Sequence, residues 1–457
     1  MNENTSEEQI VSNLLEIYKS NDYIKLDEEA SHALERFPNN LAILNFLGVS
    51  NNFLGNYDKA IKFFKKVCKL EPLRAENFAN VATALKDEGK YSEAVEFYKK
   101  FLKINPKNSD IHMHIAAIYL LNRKGEEALP YIQDAIKLDP SRAEFFYSLG
   151  EAYRLLKDHK NSLENFKKCL SLNPNLSDAN YKLGHVYLES EKYDLAIKHF
   201  DVSKKKDWEV KILKALYLTG EYEEYENKFG VLSKKKPSNV EIQSISSHAS
   251  INLNKKDTYN FCNNPFNMIL HENLKELEKG SYFLTQILQD IKNPEILNMD
   301  QDLLFNGTQS ESNIFNHDIE SLQKLKKLIT KKILQYKSIY SLSDCNLIND
   351  WPEKSRLNAW YIKMKDEGYL TGHIHENGWL SGSVYLSIPE NLKNDEGAIE
   401  FSFEGETLSR LKKDSPKKIL NLSDGDLVIF PSSLFHRTIP FHSKNNRICI
   451  AFDLMPL

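Results

Sequence analysis

Five prolines stand 34 residues apart, at Pro38, Pro72, Pro106, Pro140 and Pro174, with no slip of register, and Trp208 holds the next place. In the same phase a small residue recurs at Gly48, Ala82, Ala116, Gly150 and Gly184, and a second at Ala60, Ala94, Ala128, Ser162 and Ala196. Tyr23, Tyr57, Tyr91, His159 and Tyr193 form a third series, which misses a beat only at Lys124/Gly125. Such a period predicts units of two short amphipathic helices packed antiparallel. A small residue on each helix lets the axes approach, an aromatic fills the wedge between them, and proline ends the unit. One hairpin cannot bury its apolar side alone, so the units must stack into a right-handed solenoid with a concave surface.

These positions resemble the tetratricopeptide repeat over about residues 7–205. The resemblance implies a protein or peptide partner held in the groove. A seventh, degenerate unit follows, with Tyr217, Gly220 and Tyr222, and its phase decays through the basic stretch Lys234–Lys236. The expected division is a repeat solenoid over 1–235, a linker or cap over 236–256, and a second domain over 257–457.

Composition narrows the class of partner. The 457 residues carry 60 basic and 64 acidic side chains, so no net field draws the chain to nucleic acid or anionic lipid. At 41% hydrophobic, 27% charged and 11% aromatic, the chain is too aromatic for disorder and too charged for a membrane bundle. Cys68, Cys169, Cys262, Cys345 and Cys449 are odd in number, far apart and free of any C-x-x-C pair, which fits a reducing compartment. The N-terminus is polar and acidic, unlike a signal peptide, and a cytoplasmic location is expected.

From about Asp257 the period changes. Irregular helices are expected to Tyr340, including Ile319–Tyr336, with Leu322, Leu325, Leu328, Ile329 and Ile333 at helical spacing. After Trp351 come short β-rich runs, Leu357–Met364, Leu380–Ile388, Ala398–Glu404, Asp426–Phe430 and Arg447–Leu454, separated by turn residues. The overall expectation is a multidomain chain: an all-α solenoid, then a jelly roll (a double-stranded β-helix) with supporting helices.

Two segments of the β region carry chemistry. His373 and His375 are two apart, so on an extended or just-ending strand both rings project to one side and can grip one metal ion. His436 lies 63 residues after His373, at the end of a strand that a jelly roll returns to its partner. Three ligands on one face leave open positions on an octahedral metal, as non-haem iron uses to hold a chelating cosubstrate and oxygen together. Arg447, on the next strand, can clamp a carboxylate with two hydrogen bonds, which selects a dicarboxylate. No G-x-S-x-G elbow and no phosphate-cradling glycine loop is present, which argues against hydrolase and kinase chemistry.

The segments His373-Ile-His375 with Leu380-Ser-Gly-Ser-Val-Tyr-Leu386, and Phe430-Pro-Ser with His436-Arg, resemble the 2-oxoglutarate- and Fe(II)-dependent oxygenases over about residues 260–457. Gly307-Thr-Gln309-Ser looks like a further short signature of that branch. The resemblance implies Fe(II), 2-oxoglutarate and O2, with His373, His375 and His436 on the metal, Arg447 on the cosubstrate, and hydroxylation of a C–H bond. One departure matters: the usual motif is His-x-Asp or His-x-Glu, and His375 stands where the carboxylate belongs. Glu376 is the alternative carboxylate and His442 the alternative distal ligand; Tyr361 and Tyr385, on flanking strands, are read as core ahead of a role at the cosubstrate. Two other readings stay open: a scaffold with a decayed metal site, and a three-histidine dioxygenase that does not use 2-oxoglutarate.

Overall fold

The computed structural model describes residues 6–299, 301, 303–405, 408 and 415–457. Two compact units divide the chain, Met1–Val186 and Tyr187–Leu457.

In the first unit, antiparallel helix pairs follow the repeat register: Glu7–Lys19 with Tyr23–Arg36, Leu41–Phe53 with Tyr57–Leu70, and so on to Ala143–Leu155 with His159–Leu172. Side chains of Ser6, Asp22, Asn40, Asn108 and Asp158 accept from backbone N–H groups in the first turns and start their helices. Each repeat proline sits in the tight turn that follows a second helix, as expected of a residue that cannot continue one.

The wedge is filled by a different ring from the one expected. Tyr23, Tyr57, Tyr91 and His159 open the second helices and are only half-buried or exposed. The buried side chains between the helices are Phe64, Tyr98, Ile132 and Phe166, which also recur every 34 residues. Glycine is needed opposite two of them: a Cβ on Gly48 would lie 2.3 Å from the Phe64 ring, and one on Gly150 would lie 2.7 Å from Phe166. The missed beat at Gly125 has a similar cause, since a Cβ there would lie 2.8 Å from the carbonyl oxygen of Ala152 in the next unit.

The second unit begins with further helices, Tyr193–Ser203, Trp208–Thr219, Tyr222–Lys235 and Val240–Asn252. The last falls within the stretch expected to be linker or cap, and every residue from Val240 to Ala249 is buried. Among the described residues ten strands follow: β1 (Leu270–Asn273), β2 (Asn298–Met299), β3 (Leu304–Ser310), β4 (Ser355–Leu370), β5 (Leu380–Ser387), β6 (Ile399–Ser402), β7 (Lys418–Leu420), β8 (Asp426–Pro431), β9 (Phe435–Thr438) and β10 (Arg447–Pro456). They form a seven-stranded sheet in the order β1-β8-β5-β10-β4-β3-β2 and a three-stranded sheet in the order β7-β6-β9. All pairings are antiparallel. Ile399 and Phe401 of the small sheet share one core with Ile362, Met364, Tyr385, Phe430, Cys449 and Ala451 of the large one, the arrangement expected of a jelly roll.

Strands β1 to β3 lie where only irregular helices were expected. They are short, and β3 has no clean alternation: Asn306 has a positive φ of 48° and the register shifts between Phe305 and Gly307. The helix Glu320–Ile339 buries Leu322, Leu325, Ile329 and Ile333 at the expected spacing, and Tyr336 donates to the Met268 carbonyl at 2.7 Å. Among the described residues no helix is long and apolar enough to cross a membrane. All five cysteines are free thiols.

Candidate metal centre

The site is built where β4 runs out. His373 and His375 lie in the connection between β4 and β5, just past the strand end, and backbone hydrogen bonds hold both. His373 exchanges N–H···O bonds of 3.1 and 3.0 Å with His436 on β9, and the His375 N–H donates to the Ser432 carbonyl at 3.2 Å. This isolated bridge brings residues 63 apart face to face and ties the large sheet to the small one.

Each imidazole is oriented by its Nδ1. His373 donates to the Thr371 carbonyl at 2.7 Å, His375 to the Asp453 carboxylate at 2.5 Å, and His436 to the Leu434 carbonyl at 3.3 Å. Every partner is acceptor-only, so each Nδ1 carries the proton and each Nε2 of a neutral ring presents a lone pair. Ligating atoms of the three rings lie within 4.8 Å of one another, and Nε2 of His373 and His375 are 3.2 Å apart. Burial, reinforced by the neighbouring His375, pulls the His373 pKa down to about 4; burial also pulls His436 well below the ordinary histidine value. Where these Nε2 atoms carry no proton their lone pairs repel, and a cation at the point of convergence removes the conflict. The donor set and its acceptor-backed Nδ1 groups fit a divalent transition metal.

The same cavity, about 490 Å³, is lined by the three histidines, Arg447, Tyr385, Trp360 and Gln309. Arg447 is 2% exposed and among the described residues makes no ion pair with a carboxylate. Its Nε donates to the Gly397 carbonyl at 2.9 Å, Nη1 lies 3.9 Å from the sulfurs of Met364 and Cys449, and the guanidinium sits 5.0 Å from the Tyr385 ring centre. A buried guanidinium without a counter-charge is costly, and an anionic ligand reaching it relieves that cost. Gln309, from the Gly307–Ser310 segment, faces this cavity from β3, where it pairs with Ile362.

The alternative ligands do not join the triad. Glu376 lines the same cavity, but its carboxylate accepts from Lys211 Nζ at 2.8 Å, and the His442 side chain is 68% exposed beside Asp366 and Glu367. Tyr361 donates to Asn298 and is buried, while Tyr385 belongs to the core and also lines the cavity. Asp453, the partner of His375, belongs to no sequence motif. One signal was there: it is the lone acid in the otherwise apolar run Ile448–Leu454, and it shares the inward parity of Arg447, Cys449 and Ala451.

A family model described as "Putative 2OG-Fe(II) oxygenase" matches residues 358–453, and tetratricopeptide-repeat models match residues 41–72, 85–151, 143–176 and 165–198. The chain thus joins a tetratricopeptide array to an oxygenase-type domain. Comparison with curated proteins finds no match. Among solved structures, MamA (41 to end) from Desulfovibrio magneticus RS-1 is 22% identical, with a TM-score of 0.34 over 36% of this chain and 97% of that one. The C-terminal part of a TPR repeat-containing protein from Cytophaga hutchinsonii is 18% identical, with a TM-score of 0.46 over 51% and 97%. PilF of Pseudomonas aeruginosa is 20% identical, with a TM-score of 0.39 over 48% and 98%.

Proposed function

We propose that the C-terminal domain is a 2-oxoglutarate- and Fe(II)-dependent oxygenase that hydroxylates a C–H bond, and that the repeat array engages a protein or peptide. One observation carries this reading: three imidazole lone pairs and an uncompensated buried guanidinium line a single cavity. His373, His375 and His436 would hold Fe(II), and Arg447 would take the far carboxylate of 2-oxoglutarate. The iron, when bound, supplies the activation of O2 that no side chain here can perform.

The chain's own residues bind, orient and exclude water. Nδ1–H donation fixes each ring so that its Nε2 faces the metal. Arg447 is held by the Gly397 carbonyl and the Tyr385 ring, so its guanidinium is pre-positioned before the cosubstrate arrives. Phe430, with its ring 4.7 Å from that of His436, and the neighbouring Phe401 close the apolar side of the triad. Trp360, 5.7 Å from the His375 ring, stands beside the site on the inner face of β4.

The absent ligand carboxylate favours one alternative, a three-histidine dioxygenase that needs no 2-oxoglutarate. Incubation of the whole chain with Fe(II), ascorbate and 2-oxoglutarate separates the two. Succinate formation lost in His436→Ala supports the proposal. A wild-type protein that binds iron but forms no succinate, and shows no charge-transfer band with 2-oxoglutarate under anaerobic conditions, overturns it.

A further inference from the structure

We propose that Asp453 is the outer carboxylate of the metal centre: a positioning residue that gives His375 anionic character and so supplies, through a hydrogen bond, negative charge to a site whose three ligands are imidazoles. The inference rests on the reading of the histidine triad as a metal site. It goes beyond that reading because it assigns the charge of the site to a residue on a different strand.

The geometry is specific. Asp453 is 9% exposed, and its Oδ1 accepts from His375 Nδ1 at 2.5 Å. The same oxygen accepts from the Ser381 hydroxyl at 2.7 Å, and Ser381 lies 2.8 Å from the Ser432 hydroxyl. Ser432 in turn takes the backbone N–H of His375 on its carbonyl, so the network holds the imidazole from both its ring and its main chain. Gly378 leaves room for this network, since a Cβ there would lie 2.6 Å from Ser432 Oγ and 3.3 Å from the Asp453 carboxyl carbon.

Asp453 has no other charged partner among the described residues. Arg447 cannot serve, because both face inward from β10 six residues apart, which on an extended strand is about 20 Å. A buried carboxylate beside a neutral imidazole is poorly compensated, and a cation on the far side of that ring completes the pairing. Three neutral imidazoles leave the charge of a divalent metal unreduced. With Asp453 behind His375 the site carries one negative charge, delivered through the ring.

Titration of the metal-free full chain with Co(II), followed by calorimetry and by visible absorption, tests this without any turnover. Asp453→Asn keeps an acceptor for Nδ1 but removes the charge, and is expected to weaken Co(II) binding about 10- to 100-fold and to shift the ligand-field bands. Asp453→Glu should recover part of the affinity. Ser381→Ala, which leaves the carboxylate in place, should lose less affinity than Asp453→Asn. Equal affinity and identical bands in wild type and Asp453→Asn overturn the inference, even if the variant melts earlier. If Asp453→Asn fails to fold, Asp453→Ser, smaller and uncharged, carries the test on the same readouts: wild-type affinity and bands in that variant overturn the inference. A wild-type chain that binds no Co(II) overturns the metal reading itself, a different failure from a wild type that binds no better than Asp453→Asn.

Discussion

Glu376 Oε2 accepts a hydrogen bond from Lys211 Nζ at 2.8 Å, joining the residue next to His375 to a helix 165 positions earlier in the chain. The same ammonium is bound by both oxygens of Glu241, at 2.9 and 2.8 Å, and is 3% exposed. Burial alone would push the Lys211 pKa down, but the carboxylates of Glu241 and Glu376 raise it above the ordinary lysine value. The segment carrying His375 is therefore anchored to the helix Trp208–Thr219 by a buried charge cluster.

The two ends of this anchor differ in cost. Lys211→Met leaves Glu241 buried with only the more distant Lys214, at 3.9 Å, and should destabilise the chain by about 3 kcal/mol in urea unfolding. Glu376→Gln alters a partner that is 42% exposed and should cost less than about 1 kcal/mol.

Arg447→Met keeps side-chain length in the core but removes the guanidinium. Hydrogen bonds to a charged group contribute about 1.5–3 kcal/mol, so the KM for 2-oxoglutarate should rise about 10- to 150-fold in the succinate assay. Co(II) affinity should hold. An unchanged KM would show that Arg447 does not hold the cosubstrate.

In the repeat array, Gly48→Ala places a methyl 2.3 Å from the Phe64 ring. Overpacking of this kind should lower stability by about 1–3 kcal/mol, read as a lower thermal midpoint. Phe64→Leu in the same chain should relieve part of it. Alanine stands at the equivalent positions of two other units, Ala82 and Ala116, where the buried partners are Tyr98 and Ile132. The compensation should therefore succeed within one unit and do nothing for its neighbours.

Asp426 predicts a feature of acid unfolding. Burial raises its pKa, but His271 at 3.0 Å, Asn273 at 2.8 Å and the Ser423 N–H at 2.9 Å outweigh this and hold the carboxyl below the ordinary aspartate value. A depressed folded-state pKa gives stability that is present above the unfolded-state value, near 3.9, and is lost as pH falls through the folded-state value. Asp426→Asn should be less stable than wild type by about 1–2 kcal/mol at pH 7. The gap should close below about pH 4. A gap that stays constant from pH 7 to pH 3 would show that the carboxylate charge contributes nothing.

The sequence by itself determined the repeat period, the helix pairs and the residues able to ligate metal, because each is written in local recurrence or in a short segment. The 34-residue spacing fixes where helices stop, and His373 with His375 is visible as a pair. Local pattern could not say which of two periodic ring series fills the wedge, since Tyr57 and Phe64 recur equally well and only helix approach at Gly48 selects Phe64. Nor could it reveal β3, whose alternation is broken by the register shift at Asn306. The tertiary structure alone decided what surrounds the ligands: Asp453 meets His375 across 78 positions and Lys211 meets Glu376 across 165. Such pairings come from sheet register and helix docking, which depend on the packing of the whole domain and leave no periodic trace in the chain.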